Sequence, residues 1–340
     1  MKDFIHTTSA RLAQLRRAPA PSTVLLPFLP CTSVPSPYRL SGAMKITPLI
    51  ASQFVSDGGS MFGLVPKPIW SKRIAPDERN GIPQNANVLL VELDDGRKGL
   101  LDTGCGDPAT FSDKERALHG MRIDWPLMNA FRSMGLSPES IDFVVLTHLH
   151  WDHAGGVGSV ADDGTVQWTF PRAIHYVHEL EWADALSGDP LLYKSYPADT
   201  LAPLRALPEK QRVLVRDEQP DILPGLRMIR SGGHTRGHCV IHATHASMEL
   251  AHPKAADFGP VRHLMFTGDV CPTQHHLRLV FQTAYDTYPL DTRRWKRDWL
   301  PRAAQDGIAL FFDHDPEACA ALIRADDQRE YEITARLAAL

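Results

Sequence analysis

Apolar residues in this chain come in short runs broken by Gly, Pro and Asp, and most of the runs have the length of strands. Residues 46–54 read as a first strand, and Asp57-Gly58-Gly59-Ser60 as a turn. Residues 87–93 and 98–104 flank Asp94-Asp95-Gly96, two apolar arms across an Asp-Gly turn, which is a hairpin pattern. The run 141–146 is apolar and β-branched, follows Ser137-Pro138, and reads as a buried strand. Further strands are predicted at 165–170, 173–177, 213–215, 226–229, 239–243, 264–266 and 308–312. Helical spacing marks 125–134, stopped by Gly135 with Pro138 beyond, and 179–186. Residues 187–210 read as a proline-containing loop that caps a site, and 245–262 as a polar insertion. The apolar stretch 61–70 contains Pro66 and Pro68, so it cannot be a central strand; it must line a pocket, form a subunit interface or cover the core. No repeat of solenoid period is present.

The regular pattern starts at Met44. Residues 1–43 carry Arg16-Arg17 and then prolines at 19, 21, 27, 30, 35 and 37. Pro27 and Pro30 break the only apolar stretch that would serve as a signal core, so the expectation is a disordered leader before one domain at 44–340. Activity is expected to survive trimming to Met44.

Composition changes the picture in three places. At 340 residues with a formal net charge of -4, the chain has room for a large core and no overall field that favours nucleic acid. Five cysteines, at 31, 105, 239, 271 and 319, show no Cys-x-x-Cys spacing, so a reducing cytoplasm is the expected location. No apolar run approaches the roughly 20 residues of a spanning helix, so no membrane partner is expected. Sixteen histidines are the unusual feature.

Three of them lie in His148-Leu149-His150-Trp151-Asp152-His153, directly after the 141–146 strand. Neutral imidazole and carboxylate are ligands for a borderline cation such as zinc. Alternate positions of an extended segment point the same way, so His148 and His150 can reach one ion, while Asp152 and His153, past a bend, can reach another. Other ligand types also fall at strand ends: Gly233-His234 before the 239–243 strand, Thr267-Gly268-Asp269 after 264–266, and Asp313-His314-Asp315 after 308–312. Asp102, ending the second hairpin arm, is placed to orient a ligand histidine, and His238 reads as a supporting or structural residue. His178-Glu179 only echoes a zinc-protease helix, because Trp182 stands where the second histidine belongs. His242, His245, His263, His275 and His276 read as surface or packing residues.

In order and residue type, these segments resemble the five-part signature of the metallo-β-lactamase superfamily over residues 44 to about 320. The resemblance implies an α/β fold, an αββα sandwich of two mixed β-sheets flanked by helices, with a dinuclear metal site at the sheet edges. It implies that His148, His150 and His234 hold one divalent ion, that Asp152, His153 and His314 hold the other, and that Asp269 bridges them. Zinc is the expected metal, and manganese, iron and cobalt suit similar sites. Residues 57–70 are similar to a stretch of the N-acyl-homoserine lactonases that quench quorum sensing, a branch that includes organophosphate hydrolases. By that resemblance Trp151 borders an acyl chain and a homodimer through residues 61–70 is implied; Phe62 is expected to help hold an apolar acyl tail by burial of area. Some lactonases place a catalytic tyrosine where this chain has Pro272; Tyr285 or Tyr288 would have to substitute.

The expected reaction is attack of a metal-bridging hydroxide on a lactone or ester carbonyl, with Asp152 or Asp269 handling the proton. Phosphotriesters, thioesters and aryl esters are alternative substrates of such a site. β-Lactams are disfavoured because many enzymes that open them place a cysteine among the ligands of the second metal. Flavin-linked di-iron chemistry favours a carboxylate where His150 stands. A metal-bound scaffold without turnover is disfavoured because all seven ligand positions hold ligands.

Overall fold

The computed structural model describes residues 43–192, 196–217 and 221–339; the leader expected at 1–43 falls almost wholly outside them. The strands are β1 (Met44–Asp57), β2 (Gly81–Glu92), β3 (Lys98–Leu101), β4 (Phe143–Val145), β5 (Gly158–Val160), β6 (Val166–Trp168), β7 (Ile174–His178), β8 (Arg212–Val215), β9 (Leu226–Arg230), β10 (Cys239–Leu250), β11 (Val261–Phe266), β12 (Ala309–Phe311), β13 (Ala318–Asp326) and β14 (Glu330–Ala338). β5 and β6 form a separate hairpin. The others follow one mixed hydrogen-bonded path, β14-β13-β12-β11-β10-β1-β2-β3-β4-β7-β8, with β9 on β10.

The expected pair of sheets is therefore two halves of one path. They join where Met44 to Ile46 of β1 run parallel to Met248 to Leu250 of β10. Burial shows how the halves stack. Leu89, Val91 and Val145 from one half share a core with Phe266, Phe311 and Ile241 from the other. The opposite face of the first half (Val88, Leu90, Leu100, Val144) packs on Leu127 and Phe131 of the helix Pro126–Met134, and on Leu201 and Leu204 of the helix Ala198–Ala206. The opposite face of the second half (Val240, Met265, Leu310) packs on Trp295, Leu300 and Ala303 of the helix Pro289–Asp306. The layers are helix, sheet, sheet, helix, and strands buried on both faces explain why runs such as Val88 to Val91 are continuously apolar. No helix among the described residues is long and apolar enough to cross a membrane.

Several elements differ from the sequence reading. The stretch 57–70 forms two short helices, Gly58–Phe62 and Lys67–Trp70, the first capped by the Asp57 side chain accepting from the Ser60 amide. Met61, Phe62, Val65 and Trp70 turn inward onto Ile82 and Phe281, so the segment is mainly core cover, with Leu64 and Ile69 left exposed. Loop 187–210 contains a helix, and the region read as an insertion carries the second half of β10. The helix Pro289–Asp306 and β14 have no strong apolar signal because their outward positions are rich in Arg, Asp and Glu, while the apolar run that opens β13 is dominated by alanine, which does not favour a strand.

Candidate metal centre

Every expected ligand sits just beyond a strand end, on the same edge of the stacked halves. His148, His150, Asp152 and His153 follow β4, and His153 lies in a single helical turn, Trp151–Ala154. His234 precedes β10, Asp269 follows β11, and His314 follows β12. Two compact groups result: His148, His150, His234 and Asp269, and His153, Asp269, Asp313 and His314. Asp269 belongs to both. Its Oδ2 lies 2.9 Å from His234 Nε2 and 4.0 Å from His148 Nε2, while its Oδ1 lies 3.1 Å from His314 Nε2 and 3.3 Å from His153 Nε2. Each carboxylate oxygen faces one group, as a bridging ligand requires.

The second group gains a carboxylate beyond the expected set, and the expected Asp152 lies nearer His314 than the new one does. Asp313, which sequence reasoning passed over, is buried 3.8 Å from both His153 Nε2 and His314 Nε2. Asp152 is 3.5 Å from His314 Nε2 and 3.9 Å from His153 Nε2, less enclosed, and faces the pocket. Strand alternation would turn Asp313 away from His314, which is why the pattern alone did not select it.

These residues fit divalent cations. His148 Nε2, His153 Nε2, Asp269 Oδ1 and both Asp313 oxygens are buried without a hydrogen-bond partner, and His150 Nδ1 lies 2.9 Å from His234 Nε2. Buried polar atoms in such number are costly unless something binds them. Electrostatics agree. Burial, reinforced by neighbouring imidazoles, holds His148 and His150 well below the usual histidine range. Burial also opposes charge on His153, His234 and His314, but the Asp269 carboxylate and its neighbours outweigh it, raising His153 well above the usual value, His234 to about 10 and His314 to about 9. Burial pushes Asp313 well above the usual carboxylate range, whereas the surrounding imidazoles hold Asp269 well below it despite its burial. Asp269 is thus a charge in need of counter-charge, which a cation supplies without protons.

Outer contacts fix each ring. Asp102 accepts from the Thr147 amide (2.7 Å) and the Thr147 hydroxyl (2.7 Å), and lies 2.8 Å from His153 Nδ1. Its backbone is left-handed, φ 57°, a conformation Asp tolerates better than most residues. Asp286 lies 3.0 Å from His234 Nδ1, and the Asn85 carbonyl 2.9 Å from His314 Nδ1; nothing in the sequence marked either. His238 Nε2 accepts from the Asp269 amide (3.1 Å), so its Nδ1 carries the proton and donates to Ser231 Oγ (2.6 Å). Gly268 is needed beside it, because a Cβ there would lie 2.5 Å from His238 Nε2. Buried Glu181, also unmarked, accepts from the Leu149 amide, the Tyr196 hydroxyl and the Thr235 hydroxyl, tying the His148–His150 turn to the His234 loop.

The centre opens into a pocket of about 610 Å³. Trp151 forms part of its wall, with ring contacts to Phe54 at 5.4 Å and His119 at 4.9 Å. Two expected substrate residues do not reach it. Phe62 is fully buried, stacked between Trp70 and His276, and Met61 lines the pocket instead. Tyr288 caps the helix Pro289–Asp306 while Tyr285 lines the pocket.

The Metallo-beta-lactamase superfamily model matches residues 81–307. The chain belongs to the metallo-beta-lactamase superfamily. Across 287 residues it is 27% identical to the N-acyl homoserine lactonase AiiB of Agrobacterium fabrum, covering 79% of this chain and 90% of that one. A probable metal-dependent hydrolase from Staphylococcus aureus superposes with a TM-score of 0.72 at 27% identity, covering 87% of this chain and 97% of that one. AidC, described as a dizinc quorum-quenching lactonase, shares the fold with a TM-score of 0.64 at 18% identity, over 86% and 94% of the two chains. As a metallo-beta-lactamase superfamily member with these relatives, the chain is a hydrolase, and its His/Asp groups are metal-binding candidates.

Proposed function

We propose that this hydrolase opens the ring of an N-acyl-homoserine lactone and that its centre holds two divalent cations, zinc first among them. The observation that carries the reading is Asp269, shared by two ligand groups at the floor of a pocket walled by Trp151, Phe54 and Met61. His148, His150 and His234 would hold one ion and His153, Asp313 and His314 the other, with Asp269 between them. When bound, such ions lower the pKa of water toward 7 and polarise a carbonyl. The protein's own part is position and proton traffic. Asp152, which faces the pocket, accepts the proton of the attacking water at its carboxylate. Tyr285, with its ring on the pocket wall, supplies the hydroxyl that the departing alkoxide requires. Trp151, Phe54 and Met61 take up the acyl tail by burial of apolar area.

The test is metal analysis followed by a substrate panel: acyl-homoserine lactones of varied chain length, a phosphotriester, a thioester and an aryl ester. Lactone turnover exceeding the others by at least tenfold in kcat/KM supports the reading, and a phosphotriester or ester in first place refutes it. Trimming to Met44 is proposed to leave turnover intact, with residues 44–340 acting as one domain. Four buried free cysteines favour a cytoplasmic location, and exposed Leu64 and Ile69 are the patch on which a homodimer would close, measurable by light scattering.

A further inference from the structure

A second cleft, of about 470 Å³, lies apart from the residues of the metal centre and is lined by Arg73, Arg278, Arg329 and Arg336 with His275 and Tyr331. The arginines come from distant parts of the chain. Arg73 follows the helix Lys67–Trp70, Arg278 follows the turn Gln274–Leu277, Arg329 sits in the β13–β14 turn, and Arg336 lies on β14. Among the described residues none of the four has an acidic partner within ion-pair distance, and the one acid lining the cleft, Glu332, is already paired with Arg324 at 2.7 Å. Like charges converging without direct ion pairs raise the energy of the free protein unless an anion takes them up.

The backbone arranges this convergence. In β14 the register slips between the pairs Leu322↔Ala335 and Ile323↔Ile333, so Thr334 is an extra, bulged residue. Tyr331, Ile333 and Arg336 oppose Ala325, Ile323 and Ala321, alternate positions of β13, and therefore share one face. Without the bulge Arg336 would point to the other face. The local field is felt by His275, whose basicity falls to about 4 through burial and then through Arg73, with Glu317 opposing and Arg336 adding to the fall.

We propose that this cleft binds a small organic phosphate of nucleotide size, its phosphates held by the arginine forks and its ring against Tyr331. The guanidinium fork matches phosphate oxygens two at a time, which selects phosphate over a point-like anion. The inference does not depend on the lactonase reading.

The test is calorimetric titration of the metal-loaded protein with ADP, with inorganic pyrophosphate and with citrate, on the parent and on an Arg73→Gln/Arg336→Gln double variant. Expected are one saturable ADP site per chain, weakened at least tenfold in the double variant and by added salt, with hydrolytic turnover within twofold of the parent. ADP should bind at least threefold more tightly than pyrophosphate, an advantage lost in Tyr331→Ala. Phosphates can also bind at the metal centre. A component that competes with substrate and persists in the double variant, with no other component present, overturns the proposal. So does citrate binding as tightly as pyrophosphate. An arginine-rich edge strand that merely prevents aggregation would show no saturable site, and that result overturns it too.

Discussion

Replacing Asp102 with Asn isolates how the centre is prepared for metal. Three donors converge on this carboxylate: the amide and hydroxyl of Thr147 and the Nδ1–H of His153. Asn keeps the shape and tolerates the left-handed backbone, so strain is not introduced. It can accept from the Thr147 amide only by turning its NH2 toward His153. The imidazole must then present a lone pair at Nδ1 and carry its proton on Nε2, the nitrogen that faces Asp269 at 3.3 Å. That proton has to be displaced before any cation binds. Loss of an orienting partner typically lowers metal affinity ten- to a hundredfold, about 1.4–2.8 kcal/mol. Competition against a chelator of known affinity, with elemental analysis and circular dichroism, measures it. Metal affinity within twofold of the parent in a folded variant would refute the reasoning. Asp102→Ala should be worse, adding backbone strain of about 1–2 kcal/mol and an unpaired Thr147 amide worth about 1–3 kcal/mol.

Other predictions follow from the same geometry. His153→Ala should reduce bound metal from two ions per chain to one and abolish turnover; full turnover would rule out the two-cation reading. Asp313→Asn should lower metal content at that same group, read by elemental analysis, and unchanged stoichiometry and affinity would return the ligand role to Asp152. Trp151→Ala should raise KM for long acyl chains by roughly 5- to 30-fold, the order of 1–2 kcal/mol of lost apolar burial, and change short chains much less; an equal effect on both would place the tail elsewhere. His175 in β7 is buried, and that burial outweighs the backbone groups of Gln211 and Ala173 beside the ring and lowers its pKa to about 4. Because the folded form resists protonation, stability is full above about pH 6.5 and falls as pH drops toward 4, by about 3 kcal/mol at most. Urea midpoints of parent and His175→Leu at pH 7.5 and 5 check this: the variant should lose less on acidification, and parallel losses would exclude His175 as a cause.

Much of the centre was legible because ligand residues stood where apolar runs stop, and the fold puts those ends on one edge. His148, His150, His234 and Asp269 fall in one group and His153, Asp269 and His314 in the other, the sharing that the family resemblance implies. Asp313 was hidden by the alternation rule, since the chain leaves extended geometry after Phe311. Asp286 and Glu181 are polar residues in a loop and on a helix, with no periodic signal to separate them from solvated acids. Phe62 was misjudged because an apolar residue beside prolines can turn either way, and here Trp70 and His276 enclose it. Tyr288 and Tyr285 differ by less than one helical turn, a distance that sequence cannot resolve in a loop. β14, rich in charge, and β13, rich in alanine, carry little strand signal, although the register shift between them builds the arginine cleft.

β10 fastens the stacked halves at its two ends. At Met248 to Leu250 it pairs with β1 through the backbone; about 30 Å away along the strand, by the usual 3.3 Å per residue, His234 and His238 adjoin the ligand groups. A cation between His148 and His234, or between His153 and His314, would therefore be a cross-link across some 85 to 160 residues of chain. Closing loops of that length restricts the unfolded ensemble much as a disulfide does. In a chain whose four described cysteines stay unpaired, the metal would serve as a removable staple, so that supply of the ion governs how long the fold persists as well as whether it can act.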